Sequence, residues 1–460
     1  MKQLERKNYN YALPVLISLF FVWGFLTSMN DVLIPFLKSV FTLTYTQAMI
    51  IQFSFFGAYF IGSLIYFIIS SIWGDPINHI GYKNGIVLGL FMSAIGTGMF
   101  YPAAVIVSYG MFLTGLFILG LGFTLLQISS NPYVAILGSP QTASSRLNLA
   151  QGFNSLGTTL APLLGGYLIF KLFVGDEFQN ADALIYPYMA FTVIFILLGI
   201  AFLFIKLPDY KDTNEYSSLK ITHYPQLVWG IIAIFMYVGA EVSIGSMLIS
   251  FLKQPNIGNM NEFEARNYVS LYWTGLMIGR FLGSVLLTEK QNKNKIIGVL
   301  TIIALAFLFL WYIHSLSLAY TYIIFIIICS GLLWYAKNAH HSLSIFAIIN
   351  IVLLLIVINT AGTTAIWAVV LTGLFNSIMW SNIFTLSIDG LGIHTSQASS
   401  LLVMAIVGGA ILPLVMGFLA DHWNVQHSFI IPMIGFIYIT FYGIWGYKKK
   451  NFVTNYIKNI

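Results

Sequence analysis

The feature that most limits what this chain can become is a series of apolar stretches, each close to or above the roughly 20 residues that a helix needs to cross a bilayer. They fall at about 11–36, 47–72, 84–105, 107–137, 147–173, 185–206, 224–252, 267–288, 295–314, 319–335, 343–360, 363–388, 397–420 and 427–446, which makes fourteen. A soluble body cannot hide that many. Across the 460 residues, 58% are apolar and only 8% charged, against about a quarter charged in soluble domains. A soluble enzyme, a disordered scaffold and a secreted disulfide protein are thereby excluded. The single Cys329 leaves neither a disulfide framework nor a zinc-type cluster. The expectation is an all-α polytopic membrane protein.

Positive charge is distributed unevenly between the two sides that such spans would define. The two tails and every second loop hold sixteen Lys and Arg, whereas the opposite loops hold Lys38, Lys171, Lys253 and Arg266. Positive loops face the cytoplasm, so both termini are expected there and the span count must be even. The net charge of +6 therefore reads as an orientation signal; no nucleic-acid partner is expected. Met1 to Asn10 lacks a cleavage site after a short apolar core, and is expected to be a cytoplasmic tail. The polar stretch near mid-chain divides the sequence into an amino-terminal bundle (1–206), a linker (207–223), a carboxy-terminal bundle (224–446) and a tail (447–460). No loop is long enough for a catalytic domain, and there is no phosphate loop, dinucleotide fingerprint or zinc-protease motif. Neither an enzyme nor a bound cofactor is expected.

Ionisable groups inside the spans are costly and mark pathways by default. Asp31 lies in the first span with Thr27 and Ser28 one turn back; no cation is near it in sequence, which favours a proton or cation role. Glu241 and Arg280 lie in two successive spans, where they read either as a structural ion pair or as part of a coupling site. Amides form a second layer. Asn148, Gln151, Asn154, Ser155 and Thr158 recur three or four apart, which puts them on one helix face. Thr124, Gln127 and Asn131 do the same before Pro132 interrupts the hydrogen-bond ladder, and Thr372, Asn376 and Trp380 are spaced by four. Such stripes can simply join helices. Three of them, together with an aromatic platform, look more like the lining of a hydrated cavity for a hydroxyl-rich ligand.

Several longer stretches carry a family likeness. In the first half they are Phe21-Val-Trp-Gly-Phe-Leu with Asn30-Asp31-Val-Leu-Ile-Pro35, the run from Leu126 to Gly138, and the run from Ser145 to Thr159. In the second half they are the runs Tyr237 to Gly245, Gly279 to Gly283, Gly373 to Met379 and Met404 to Pro413. The chain resembles the fucose:proton symporter family of the major facilitator superfamily, most closely its glucose/galactose transporter branch. The resemblance implies two six-helix bundles with a midplane sugar site open alternately to either side. It implies that Asp31 matches an aspartate associated with proton coupling and Asn154 a sugar-contacting asparagine. Gln127 stands where fucose members carry a glutamate, and an amide cannot exchange a proton in the working pH range. Trp380-Ser-Asn382 departs from the more usual Phe-Pro-Thr. A further departure is the count, fourteen spans against the usual twelve: 295–314 and 343–360 both resemble the ninth family helix, so an inserted hairpin within about 294–341 is expected, the alternative being that one or two of these segments are re-entrant or interfacial pieces.

The resulting expectation is a secondary active transporter importing a glucose/galactose-type hexose across the cytoplasmic membrane with protons. Asp31 and Glu241 would couple the ion. Asn30, Gln127, Asn131, Gln151, Asn154, Asn376, Trp380 and Asn382 would contact sugar, and Arg280 would be a structural charge. Sodium coupling, a fucose or N-acetylglucosamine cargo, and a non-transporting sugar sensor are the alternatives. A membrane glycosyltransferase using the acidic stretch Asp176 to Asp182 ranks below them, because that loop is short. Lipid and sugar are the expected partners, with no obligate protein partner.

Overall fold

The computed structural model describes residues 12–43, 45–167, 181–205, 207, 223–288 and 291–449, and among them every regular element is helical. The helices fall into two compact units: one gathers Met1–Ser139, Leu149–Glu215 and Ser399–Val407, the other Pro140–Asn148, Tyr216–Ala398 and Gly408–Ile460. Most of the expected linker, 207–223, lies outside the described residues, as does most of the stretch from Asp176 to Asp182.

The helices of the first half are α1 (Ala12–Val40), α2 (Tyr45–Trp73), the short α3 (Pro76–Ile80), α4 (Tyr82–Gly98), α5 (Phe100–Val105), α6 (Tyr109–Ile136), α7 (Ala143–Tyr167) and α8 (Ile185–Phe204). The expected span 84–105 is two pieces, α4 and α5. Pro102 has no N–H to give to Gly98 and its ring crowds that carbonyl, so the helix restarts there. Pro132 acts more mildly: α6 runs through it, so the ladder loses a bond without breaking. Within the first unit α4 packs on α6 and α8, and α2 packs on α6. Apolar burial against lipid tails drives nothing, so close backbone approach must hold such helices together. Gly89 and Gly122 supply it, since a Cβ on Gly122 would sit 2.8 Å from the Gly89 carbonyl oxygen and 2.7 Å from the Ser93 nitrogen.

The second half contains α9 (Pro225–Leu252), α10 (Glu262–Leu286), α11 (Asn292–Ile313), α12 (Leu316–Ala336), α13 (Ala339–Asn359), α14 (Gly362–Asn376), α15 (Met379–Ile388), α16 (Thr395–Met404), α17 (Gly408–His422), the short α18 (Val425–Ser428) and α19 (Ile430–Phe441), which continues as a π turn over Tyr442–Gly446. The span expected at 363–388 is also two pieces, broken at Ser377 and Ile378, where the Ser377 hydroxyl bonds back to the Leu374 carbonyl at 2.7 Å.

Thirteen helical stretches among the described residues are long and apolar enough to cross a membrane. With α7, whose polar stripe dilutes its apolar content over 25 residues, the number is fourteen. The packing also shows which pair is extra. In the first unit α4 packs on α6, which begins the next span, and on the last helix, α8; in the second unit α13 packs likewise on α14 and α19. We propose from this packing that α13 holds the ninth place of a twelve-helix plan and that α11–α12 is the inserted hairpin. It packs on itself and on α10, and α12 also meets α13 and α14. On that reading its far boundary falls at the turn between α12 and α13, within the 294–341 expected from sequence. Lys337 turns the chain at φ 60° and the Asn338 side chain accepts from the His341 N–H, so α13 is already capped at that point.

Candidate functional site

In the first unit, the polar stripe of α6 faces α1 and α2. Gln127 is buried and shares the Tyr59 hydroxyl with Trp23 and Thr27; the Trp23 indole N–H donates to that hydroxyl at 3.3 Å. Tyr59 was not singled out from the sequence; Ser63 and Tyr66, four and seven residues on along the same helix face, were the spacing that could have found it. One turn beyond Gln127, Asn131 is fully buried, and neither its Oδ1 nor its Nδ2 meets a hydrogen-bond partner among the described residues. An amide left so costs about 1–3 kcal/mol.

Helix α7 crosses α1 closely. The Asn154 amide donates to the Phe20 carbonyl at 3.0 Å, and the Thr158 hydroxyl to Gly24 at 3.3 Å. Gln151 and Ser155 of the same stripe are buried, and Asn154 is half-buried. Asn30 and Asp31 lie on α1, but their side chains fall outside the described residues. An apolar hollow of about 330 Å³ lined by Phe53, Gly57, Phe60 and Phe117 is a poor sugar site, because its one hydroxyl, Ser54, is committed to the Leu113 carbonyl at 2.8 Å.

In the second unit a hydrogen-bonded chain joins four helices. Glu241 on α9 accepts from the Tyr237 hydroxyl one turn earlier and faces Arg280 of α10, whose Nη2 is 3.9 Å from Glu241 Oε2. The Arg280 Nε–H donates to the Ser377 carbonyl at 3.2 Å, a group that the break between α14 and α15 frees from the helix ladder. The Tyr272 hydroxyl donates to the Glu241 main-chain oxygen at 3.0 Å and accepts from Asn376 at 3.2 Å; Asn376 in turn accepts from Asn350 of α13 at 3.1 Å. Tyr272 and Asn350 were also not singled out from sequence: Asn350 stands alone in its apolar span, whereas Tyr272 shares a helix face with Tyr268 four residues before it.

The other two residues of this region behave in opposite ways. Asn382 is fully buried and occupied by protein: its amide donates to the Ala339 carbonyl at 3.1 Å and to the Ser342 hydroxyl at 2.9 Å, and its oxygen accepts from Ser144 and, at 3.5 Å, from Asn148. Trp380, two residues earlier, stacks near-parallel on Phe384 with ring centroids 6.2 Å apart, and its buried indole N–H has no hydrogen-bond partner among the described residues.

The family model described as Major Facilitator Superfamily matches residues 16–339. The chain is 43% identical over 451 residues to a glucose/galactose transporter of Brucella abortus, covering 97% of this chain and 96% of that one. It is 31% identical to the L-fucose-proton symporter of Escherichia coli, covering 95% and 93%. A crystal structure of the major facilitator transporter FucP in the outward conformation superposes with a TM-score of 0.76 at 29% identity, covering 96% of this chain and 99% of that one. The chain belongs to the major facilitator superfamily, in the branch that holds the glucose/galactose transporters and the fucose–proton symporters.

Proposed function

We propose that this protein imports a hexose of the glucose/galactose type across the cytoplasmic membrane by alternating access, coupled to protons. The observation that carries the reading is its full-length likeness to the Brucella glucose/galactose transporter. The side-chain chemistry supports it. A sugar offers many hydroxyls, each both donor and acceptor, and amides match both roles. Gln127, Asn131, Gln151, Asn154 and Asn30 are assigned to the sugar in the first unit, and Trp380 to stacking on its ring and donating from its orphan N–H in the second. Asn376 and Asn382, already engaged by protein, serve the sugar by fixing the neighbouring groups. Asp31 loads the proton, Glu241 responds to it through Tyr237 and Arg280, and no cofactor is required.

The test is uptake of labelled glucose, galactose, fucose and N-acetylglucosamine into proteoliposomes under an imposed proton or sodium gradient. Glucose or galactose should accumulate when the proton gradient alone is imposed. Accumulation driven only by sodium would overturn the coupling ion, and uptake of fucose alone would overturn the cargo. Sugar binding without any uptake would make the protein a sensor.

A further inference from the structure

The inserted hairpin brings with it charges that the transport reading does not use. Helices α10 and α12 end, and α11 and α13 begin, at one face of the second unit. Lys295 on the first turn of α11 interacts electrostatically with Lys337 at the end of α12, and donates to the Leu286 carbonyl at 3.2 Å. Beyond the two-residue connector, His340 opens α13. Its ring stacks on Tyr447 with centroids 4.4 Å apart, lies 4.2 Å from that of His341, and is within electrostatic reach of Lys448. Among the described residues none of Lys295, Lys337 and Lys448 is held by a carboxylate; the adjacent Lys449 is, by Asp389 at 2.6 Å. Glu289 and Lys290 cancel in charge and lie outside the described residues.

Exposed aromatic and apolar side chains border this patch on its membrane side. Trp334 and Tyr335 precede Lys337, Trp445 precedes Lys448, and Ile296, Ile297 and Leu300 follow Lys295; all six are exposed. Aromatic rings of this kind mark the headgroup level of a bilayer. Cations therefore gather at headgroup depth, directly beside surface that acyl chains can cover. We propose that Lys295, Lys337, His340, His341 and Lys448 form a docking surface for the phosphate of an anionic phospholipid. A diacyl lipid satisfies both halves, its phosphate meeting the cations and its chains lying on α11 and α12. Free inorganic phosphate satisfies only one.

The experiment uses the full-length protein, purified in detergent, equilibrated with mixed micelles of phosphatidylglycerol and phosphatidylcholine, and stripped of loose lipid. Retained lipid is counted by class for wild type and for the triple variant Lys295→Gln, Lys337→Gln, Lys448→Gln. Wild type should retain phosphatidylglycerol in preference to phosphatidylcholine. Each lysine removed should weaken that retention by about fivefold, the value of one Lys at an anionic surface. The preference should also fall in high salt. Equal phosphatidylglycerol retention by wild type and variant would overturn the proposal. So would inorganic phosphate displacing the lipid at millimolar concentration, which would mark a soluble-anion site. Should the triple variant fail to fold, Lys337→Gln alone, at an exposed connector, carries the same comparison: a loss of about fivefold supports the surface and no loss overturns it.

Discussion

Among single residues, the sharpest contrast is between amides that have found partners and those that have not. Asn131→Leu removes no protein hydrogen bond and relieves a buried amide without a partner, so it should leave the thermal midpoint unchanged or slightly raised while weakening sugar affinity about tenfold. Isothermal binding together with a melting curve checks both halves. Asn382→Leu should do the reverse: it abandons the Ser342 hydroxyl and the Ala339 carbonyl in the interior, costing about 1–3 kcal/mol of stability, visible as a lower midpoint in detergent. Spacing placed Asn131 on a polar helix face and the family resemblance brought in Asn382, and neither signal told the two apart, because a period or a motif does not record what waits around a side chain. Coupling is tested at the same scale. Asp31→Asn should abolish uphill accumulation while preserving sugar exchange across the membrane, since exchange needs the site but no net ion movement. Persistent concentrative uptake would transfer the role to Glu241 or to a sodium site.

Between elements, close backbone contact does what apolar burial does in water. Gly122→Leu would push a side chain into the Gly89 carbonyl and the Ser93 backbone, so α4 and α6 must separate. The expected cost is about 1–3 kcal/mol or more, read as a lower melting midpoint. Gly110→Leu, on the first turn of the same helix, has open space around its Cβ position and should leave the midpoint unchanged. The frequency of glycine in the spans was visible in the sequence, but that alone could not say which glycines carry contacts. The prolines divide in the same way. Pro102 ends one helix and starts another, whereas Pro132 is absorbed into a continuous α6. Neighbouring helices decide whether the missing hydrogen bond becomes a break.

For the molecule as a whole, the insertion is the main departure from a twelve-helix plan. Because α11 leaves one membrane face and α12 returns to it, removing Asn292–Ala336 keeps the ends of α10 and α13 on the same side and preserves the direction of every later span. The shortened protein should still bind sugar, with affinity within about threefold of the full chain and a lower melting midpoint, because α12 packs against α10, α13 and α14. Loss of binding in a folded, monodisperse deletion protein would show that the hairpin shapes the site. The exposure of Tyr335 at 77% and the stacking of His340 on Tyr447 both place this region at the rim of its own unit.

The sequence by itself determined that the chain lives in lipid, how many times it crosses, and which family it belongs to. Each of these is written locally, in the length of apolar runs, in the sign of loop charges and in contiguous motifs. Tertiary structure decided matters that depend on partners distant in the chain. Of two similar apolar segments, α11 and α13, only packing on α14 and α19 could show that α13 belongs to the common plan. Of the polar side chains, only the helices around them could show that Asn382 is enclosed by protein while Asn131 and the Trp380 N–H are left without partners. Tyr59, Tyr272 and Asn350 entered the polar clusters for the same reason. A single polar residue in an apolar helix, as Asn350 is, has no pattern until a second helix brings its partner within 3 Å or so, the range in which a hydrogen bond forms.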